Sequence, residues 1–369
     1  MNKKLPSLVV TGASGFVGRN FVLDSYDNYV IYCIARRTQS EIGIPLHRNI
    51  IWLQVDISDG DQVKEIISYL KNAGGIDYVL HLAGYYDFTQ KDNIAYTETN
   101  VKGTANILKM AEEIGAKRFF FSSSLAGCEF TGKTKIATEE TPLSAEFPYA
   151  RSKREAESII QDFSRNIPCS VFRLGAVFSD WCEYSPLYIF LETWLSRSLI
   201  SSFIGGKGEF AIPYIHIRNV IEFINHLIET SSSLPRFGIY LASESQAVTL
   251  NEIYTTVTQY YYNKALKPVY LHRFIYIIGS YAYFAILRVF GSIPFLRPWM
   301  SHYIDKQLNI DASRTFKELG WYPKSRFNLL RRLLFLLENK AMYTSNWHFR
   351  NRILLEQRVA YRQNLQVYH

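Results

Sequence analysis

A chain of 369 residues is longer than one α/β domain usually needs, so a large domain carrying a smaller second lobe is expected. With 48% hydrophobic and 20% charged residues it can bury a substantial core, which excludes a disordered protein. Charge is uneven: nine lysines and arginines against two glutamates, a net +7 out of the chain's +8, fall in residues 321–369, so the basicity belongs to a tail. Cys33, Cys128, Cys169 and Cys182 lack the paired spacing of a zinc site or a disulfide framework, so no metal is expected and the cytoplasm is the expected compartment. The first residues run into Pro6 and an apolar strand too soon to form a secretion signal.

In chain order, apolar and β-branched runs at 8–11, 30–35, 51–55, 78–82, 118–122 and 170–174 predict strands, with helical patterns at 16–25, 61–72, 100–115 and 149–164. Gly115 is placed to end the third of these helices. Such alternation produces parallel strands joined by right-handed crossovers, and strands apolar throughout belong to a sheet covered on both faces. After residue 175 the alternation fades into aromatic-rich helical stretches with short strands at 214–217 and 239–241. This half is expected to build the second lobe and to return at intervals to the sheet.

Residues 11–18, TGASGFVG, leave the first strand and enter the first helix. Gly12, Gly15 and Gly18 stand where a chain must turn tightly, approach a pyrophosphate and let helix meet strand, and the helix N-terminus adds its dipole. Ser14, Phe16 and Val17 complete this dinucleotide-binding turn. The expected fold is therefore α/β, a Rossmann-type doubly wound parallel sheet over 1–174. A smaller α/β substrate lobe interleaved with late sheet elements is expected over 175–325, and a basic amphipathic tail over 326–369.

An acid after the second strand would grip a ribose 2′-hydroxyl, but Arg36 and Arg37 occupy that place, which predicts a 2′-phosphate and favours NADP over NAD. Asp56, after the third strand, is the alternative contact, to the adenine, with Ile57 beside it.

Tyr149 and Lys153 lie four apart at the start of a predicted helix, so their side chains share a face one turn apart. A neighbouring ammonium stabilises a phenolate and brings tyrosine into range as an acid or base at neutral pH; Lys153 can also hold a nicotinamide ribose. Ser122, Ser123 and Ser124 end the fifth strand, at the carboxyl edge where open α/β sheets bind ligands, and one hydroxyl is expected to orient a substrate carbonyl.

With VDISD at 55–59, HLAG at 81–84, TN at 99–100, FSSS at 121–124, YARSK at 149–153, YIHIRNV at 214–220 and ELGWYP at 318–323, the chain resembles the extended short-chain dehydrogenase/reductases, the NAD(P)-dependent epimerase/dehydratase group. The resemblance covers about residues 7–325. It implies that Tyr149 is the acid/base, Lys153 its partner and Ser124 the substrate-orienting hydroxyl, with Ser123 the fallback. It also implies that Leu82, Ala83 and Gly84 line the nicotinamide side, that Asn100 supports the site and that Ser122 belongs to the cofactor pocket.

Departures from the family pattern shape the expected chemistry. Leu125 and Ala126 follow Ser124 where dehydratases place Asp-Glu, which speaks against elimination of water. Arg218 and Asn219 replace an acidic pair, and no arginine precedes that strand as it does in many sugar-nucleotide epimerases. The expectation is hydride transfer at a ketone or secondary alcohol on a small, hydrophobic molecule; the alternatives are a sugar-nucleotide epimerase and a non-catalytic cofactor-sensing protein. Apolar insertions in this half resemble those of the 3β-hydroxysteroid dehydrogenase branch.

The uncharged run 274–287 is too short to span a bilayer, so it is either a buried lobe helix or an interfacial one. Together with the C-terminal tail it predicts peripheral contact with an anionic membrane surface on the inner face. Nucleic acid is not expected, because no recognised module accompanies the basic tail; a homodimer is compatible with the sequence.

Overall fold

The computed structural model describes residues 5–130, 132–196, 198–289 and 298–351. Its first half runs β1 (Ser7–Thr11), α1 (Phe16–Ser25), β2 (Val30–Ala35), β3 (Ile50–Gln54), α2 (Gly60–Asn72), β4 (Tyr78–His81), α3 (Gly103–Glu113), β5 (Arg118–Ser124), β6 (Ile136–Ala137), α4 (Pro148–Phe163) and β7 (Cys169–Leu174). The second half holds β8 (Ala176–Phe178), α5 (Ser185–Trp194), β9 (Phe203–Gly205), β10 (Ala211–His216), α6 (Ile217–Glu229), β11 (Phe237–Ala242), β12 (Ala247–Thr249) and α7 (Leu250–Tyr262). It continues through β13 (Val269–Leu271), α8 (Arg273–Val289), β14 (Asn309–Ile310), α9 (Ser313–Leu319) and α10 (Leu329–Met342).

Seven parallel strands form the central sheet in the order β11-β7-β5-β4-β1-β2-β3. The order reverses at β1, so the carboxyl ends of β1 and β4 flank the crevice where doubly wound sheets bind ligands. Alternation along the strands builds two helix-covered layers. Leu8, Val10, Leu80 and Phe120 pack into one layer, while Val9, Val79, Phe119 and Phe121 pack into the other.

The second half returns to the sheet through β11 and through α6 and α9, whose Val220, Ile224 and Phe316 join the layer of Leu8 and Val10, and otherwise forms a lobe around β8, β10 and β12, cored by Phe178, Tyr214, Trp194 and Tyr254. Leu329, Leu333 and Leu336 of α10, and Trp347 beyond it, are buried in this same core. Residues 326–351 of the basic segment are thus built into the lobe. Those from 352 to 369 lie outside the described residues.

The predicted elements are present with shifted ends. The third helical pattern starts earlier than residue 100, as a wide turn at Tyr96–Lys102 that feeds α3, and Gly115 adopts φ +72° just past its end. The short strands lengthen to Ala211–His216 and Phe237–Ala242.

Candidate active site

Gly12 leaves β1 at φ +68°, where a Cβ would stand 2.7 Å from the Ala83 nitrogen, and a Cβ on Gly18 would collide with the Gly12 carbonyl. The turn closes by a 2.8 Å bond from Gly15 N–H to that same carbonyl. Gly15 caps α1 without a side-chain partner, so no side chain claims the helix's leading amides. A cradle that a single methyl would fill, ending on an uncapped helix N-terminus, fits a dinucleotide pyrophosphate. Ser14, Phe16 and Val17 carry the chain from turn into helix, and the Arg37 guanidinium donates to the Ser14 carbonyl, bracing the turn from β2.

Arg36 is in a different position from its neighbour. It is half exposed, 4.0 Å from the Asp56 carboxylate, and its carbonyl accepts from Gln54. Asp56 in turn accepts from the Ser58 backbone and hydroxyl, while Ile57 is buried against the start of α3. Of the two arginines, Arg36 is the one aimed outward at the edge of the sheet.

Parallel register sets Thr11 beside His81, and a buried chain of hydrogen bonds starts there. The Thr11 hydroxyl accepts from Ala83 N–H at 3.2 Å and, because Thr104 spends its own proton on the Asn100 carbonyl and so accepts from His81 Nε2, donates to the neutral ring's Nδ1 at 2.6 Å. His81 Nε2 then carries the ring proton and donates to Thr104, which donates to the Asn100 carbonyl at 2.6 Å. Burial, reinforced by Lys153, pushes the His81 pKa down to about 3, so the ring stays neutral. The Asn100 amide accepts from Tyr85 N–H at 2.6 Å and donates to the Tyr85 carbonyl and to Ser152, both at 2.9 Å. Leu82, Ala83 and Gly84 are thereby held between β4 and α4. His81, Thr11, Thr104 and Ser152 were not singled out from sequence, although two of them stand inside the TGASGFVG and HLAG motifs.

The α4 helix is clamped to β7 by a buried bidentate pair, Arg173 to Glu157 at 3.0 and 2.8 Å. One turn before Glu157, the Lys153 ammonium donates to the Ser122 carbonyl at 2.8 Å and lies 4.5 Å from the centroid of the Phe121 ring. Burial pushes its pKa down to about 8, against the pull of Glu157, which leaves it mostly charged at neutral pH. Its Nζ is 5.9 Å from the Tyr149 ring centroid, and it approaches Gly84 so closely that a Cβ there would meet it at 3.4 Å. Ser124 is partly open and accepts from Ala126 N–H; Ser122 bonds the His81 carbonyl, and Ser123 is buried with its hydroxyl unpartnered.

A family model described as the NAD-dependent epimerase/dehydratase family matches residues 8–242. The chain belongs to that family. It is 30% identical over 176 residues to UDP-glucose 4-epimerase 2 of Arabidopsis thaliana, covering 43% of this chain and 48% of that one. It is 31% identical over 152 residues to a Synechocystis protein named as a candidate dihydroflavonol 4-reductase, covering 40% and 42%. The chain thus spans about half the length, or less, of these relatives. Its fold matches UDP-glucose 4-epimerase of Thermotoga maritima solved with UDP-glucose, at TM-score 0.68, 20% identity and coverage of 91% and 99%. It also matches Bordetella bronchiseptica WbmG solved with NAD, at TM-score 0.70, 17% identity and coverage of 93% and 96%.

In this epimerase/dehydratase family member the surroundings of Tyr149 are aromatic, and polar groups lie beyond them. Tyr86 lies 4.6 Å from the Tyr149 ring, with Phe147 and Tyr96 each at 6.4 Å. A cavity of about 350 Å³ adjoins this cluster, walled by Gln90, Phe147, Pro148, Arg151, His302 and Tyr303. Leu125, following Ser124, is buried. Asn219 has a structural use: its buried side chain accepts from Lys324 N–H and latches that loop to α6. The Gly205–Gly208 turn is ordered by the Asp305 carboxylate, which accepts from the backbone of Lys207 and Glu209.

Proposed function

We propose that this chain is an NADP-dependent oxidoreductase acting at a ketone or secondary alcohol, with Ser124, Tyr149 and Lys153 as its catalytic residues. The observation that carries this is the buried Lys153 ammonium, held by the Ser122 carbonyl one helical turn from Tyr149 and beside the strand end that bears Ser124. When bound, the nicotinamide supplies or receives the hydride. In reduction, the Tyr149 hydroxyl gives its proton to the carbonyl oxygen as the carbon gains hydride, leaving a secondary alcohol. The Ser124 hydroxyl donates to that oxygen, and the Lys153 ammonium stabilises the phenolate left on Tyr149. Gly12, Gly15 and Gly18 would hold the pyrophosphate and Arg36 a 2′-phosphate.

A sugar-nucleotide 4-epimerase is the second reading, favoured by relatives named UDP-glucose 4-epimerase. It would use the same three residues with no net change in cofactor, whereas a cofactor-sensing protein would bind without turnover. Titrating the purified protein with NADP and NAD in parallel, then following reduced cofactor with ketone and alcohol panels, separates these. NADP preference with net turnover is expected; clear NAD preference overturns the role of Arg36, and substrate conversion without net cofactor change overturns the oxidoreductase. Peripheral association with the anionic inner face of a membrane belongs to the same proposal, as the place where a hydrophobic substrate is met.

A further inference from the structure

Membrane contact needs a surface, and the basic tail offers less than its charge count promises. Arg332, Lys340 and Arg350 are held by Asp180, Glu192 and Glu183 of the lobe. A different face is open. Leu199 is 92% exposed, with exposed Ile200 and Phe203 following it. The β9–β13 pairing sets Phe203 opposite Val269, which is exposed together with Tyr270.

Helix α8 follows at once. Its Phe274, Ile275, Ile278 and Tyr281, at i, i+1, i+4 and i+7, form one stripe, with Phe274 65% and Ile278 55% exposed. Tyr276, between them, packs on Gly205 and fixes the helix's other side to the lobe. Single exposed apolar side chains are ordinary, but nine on adjoining elements mark a covered surface.

Charge decides what covers it. The fifty-two residues between Glu252 and Asp305 contain five lysines and arginines and no carboxylate, and residues 193–208 likewise contain Arg197 and Lys207 and no acid. Lys264, Lys267 and Arg273, on either side of β13, are exposed and make no ion pair among the described residues. A second copy meeting this face about a two-fold axis would set these cations against their own kind. Anionic lipid accepts both the cations and the apolar stripe.

We infer that residues 199–203, β13 and the N-terminal half of α8 form a docking surface for an anionic phospholipid bilayer. The inference rests on the membrane association proposed above and assigns it to the lobe. No helix among the described residues is long and apolar enough to cross a membrane, so the stripe lies in the interface plane. The turn Pro298–Tyr303 packs against α8 and contributes His302 and Tyr303 to the cavity beside Tyr149, which connects the docked face to the site.

The test floats four full-length proteins with vesicles of phosphatidylglycerol and phosphatidylethanolamine, and with neutral phosphatidylcholine vesicles. They are the wild type, Ile275→Asp with Ile278→Asp, Lys264→Glu with Lys267→Glu, and Arg352, Arg358 and Arg362 all changed to glutamine. Wild type recovered with anionic vesicles alone, and at least about a tenfold loss for both lobe variants at unchanged thermal unfolding, supports the surface. Wild type that fails to float overturns the membrane association itself. Wild type and lobe variants floating equally, with the glutamine variant lost, overturns the docking surface while the association stands. Lobe variants that float normally but sediment as monomers where the wild type is a dimer give this face to a second copy and overturn the inference too.

Discussion

Replacing Lys153 by methionine is expected to stabilise the fold while ending turnover. The ammonium is buried, and burial lowers its pKa from 10.5 to about 8. Each pKa unit is worth about 1.4 kcal/mol, so keeping the protonated amine in this place costs about 3 kcal/mol relative to the unfolded chain. Methionine fills the place of the lysine stem as far as Cε, one heavy atom short of the Nζ that overlies the Phe121 ring at 4.5 Å, and its flexible thioether can pack toward that ring. The Ser122 carbonyl loses its donor, which takes back about 1 kcal/mol. A net gain of about 2 kcal/mol at pH 7 remains. Between the folded pKa of about 8 and the ordinary value of 10.5, the unfolded chain binds more protons at this residue than the native one. Wild-type stability therefore rises relative to the variant through that window, and the methionine advantage, full below about pH 8, is gone by 10.5. Urea unfolding of both proteins across this pH range, at equal m, reads the difference directly. A difference that stays constant with pH, or a variant less stable at pH 7, refutes the reasoning.

Tyr149→Phe is expected to lower turnover by about 10²- to 10⁴-fold while cofactor titration stays unchanged; full activity would remove the phenol from the mechanism. Gly12→Ala, at φ +68° and against the Ala83 backbone, is expected to cost about 1–3 kcal/mol in thermal unfolding and to abolish the stabilisation conferred by added cofactor. Arg36→Asp is expected to weaken NADP at least about tenfold and to strengthen NAD, read by parallel titrations. Trp347→Ala removes a fully buried indole whose N–H donates to Glu192 at 2.9 Å, and is expected to cost about 3–5 kcal/mol by calorimetry; an unchanged melting curve would detach this segment from the lobe.

The long strands of the first half were legible because each is built on an apolar run and helices of the right period follow β1, β3, β4 and β5. The ends were less so: the apolar run of β5 stops before its serines, yet the strand continues through them and closes on Ser124, where the three serines were expected to end it. The wide turn at Tyr96–Lys102 leaves no periodic signal, yet it brings Asn100 onto the Tyr85 backbone and Ser152. The hydrogen-bond chain from Thr11 through His81 to Thr104 was invisible for another reason. It depends on parallel register between residues 70 apart, which only the assembled sheet supplies.

Net charge counted along a chain takes no account of where the body keeps its acids, and the C-terminal segment shows the consequence. Asp180 holds Arg332 at 2.7 and 2.6 Å and faces His216 at 3.2 Å. Glu192 takes both Lys340 and the Trp347 indole. Glu183, almost wholly buried, is shared between Arg350 at 3.3 Å and Arg19 of α1. A buried carboxylate such as Glu183 needs its partners, and with the half-buried Asp180 and Glu192 it forms sockets that dock α10 and its extension onto the lobe. Because Arg19 lies on the helix entered by the glycine turn, the Glu183 socket also ties the C-terminal segment to the element proposed to hold the pyrophosphate. Cations seated in this way contribute little to an outward field, whereas Lys264, Lys267 and Arg273 are exposed and make no ion pair among the described residues. Although the C-terminal segment carries most of the net charge, the exposed lobe face is therefore proposed ahead of the seated Arg332, Lys340 and Arg350 as the anionic-binding surface.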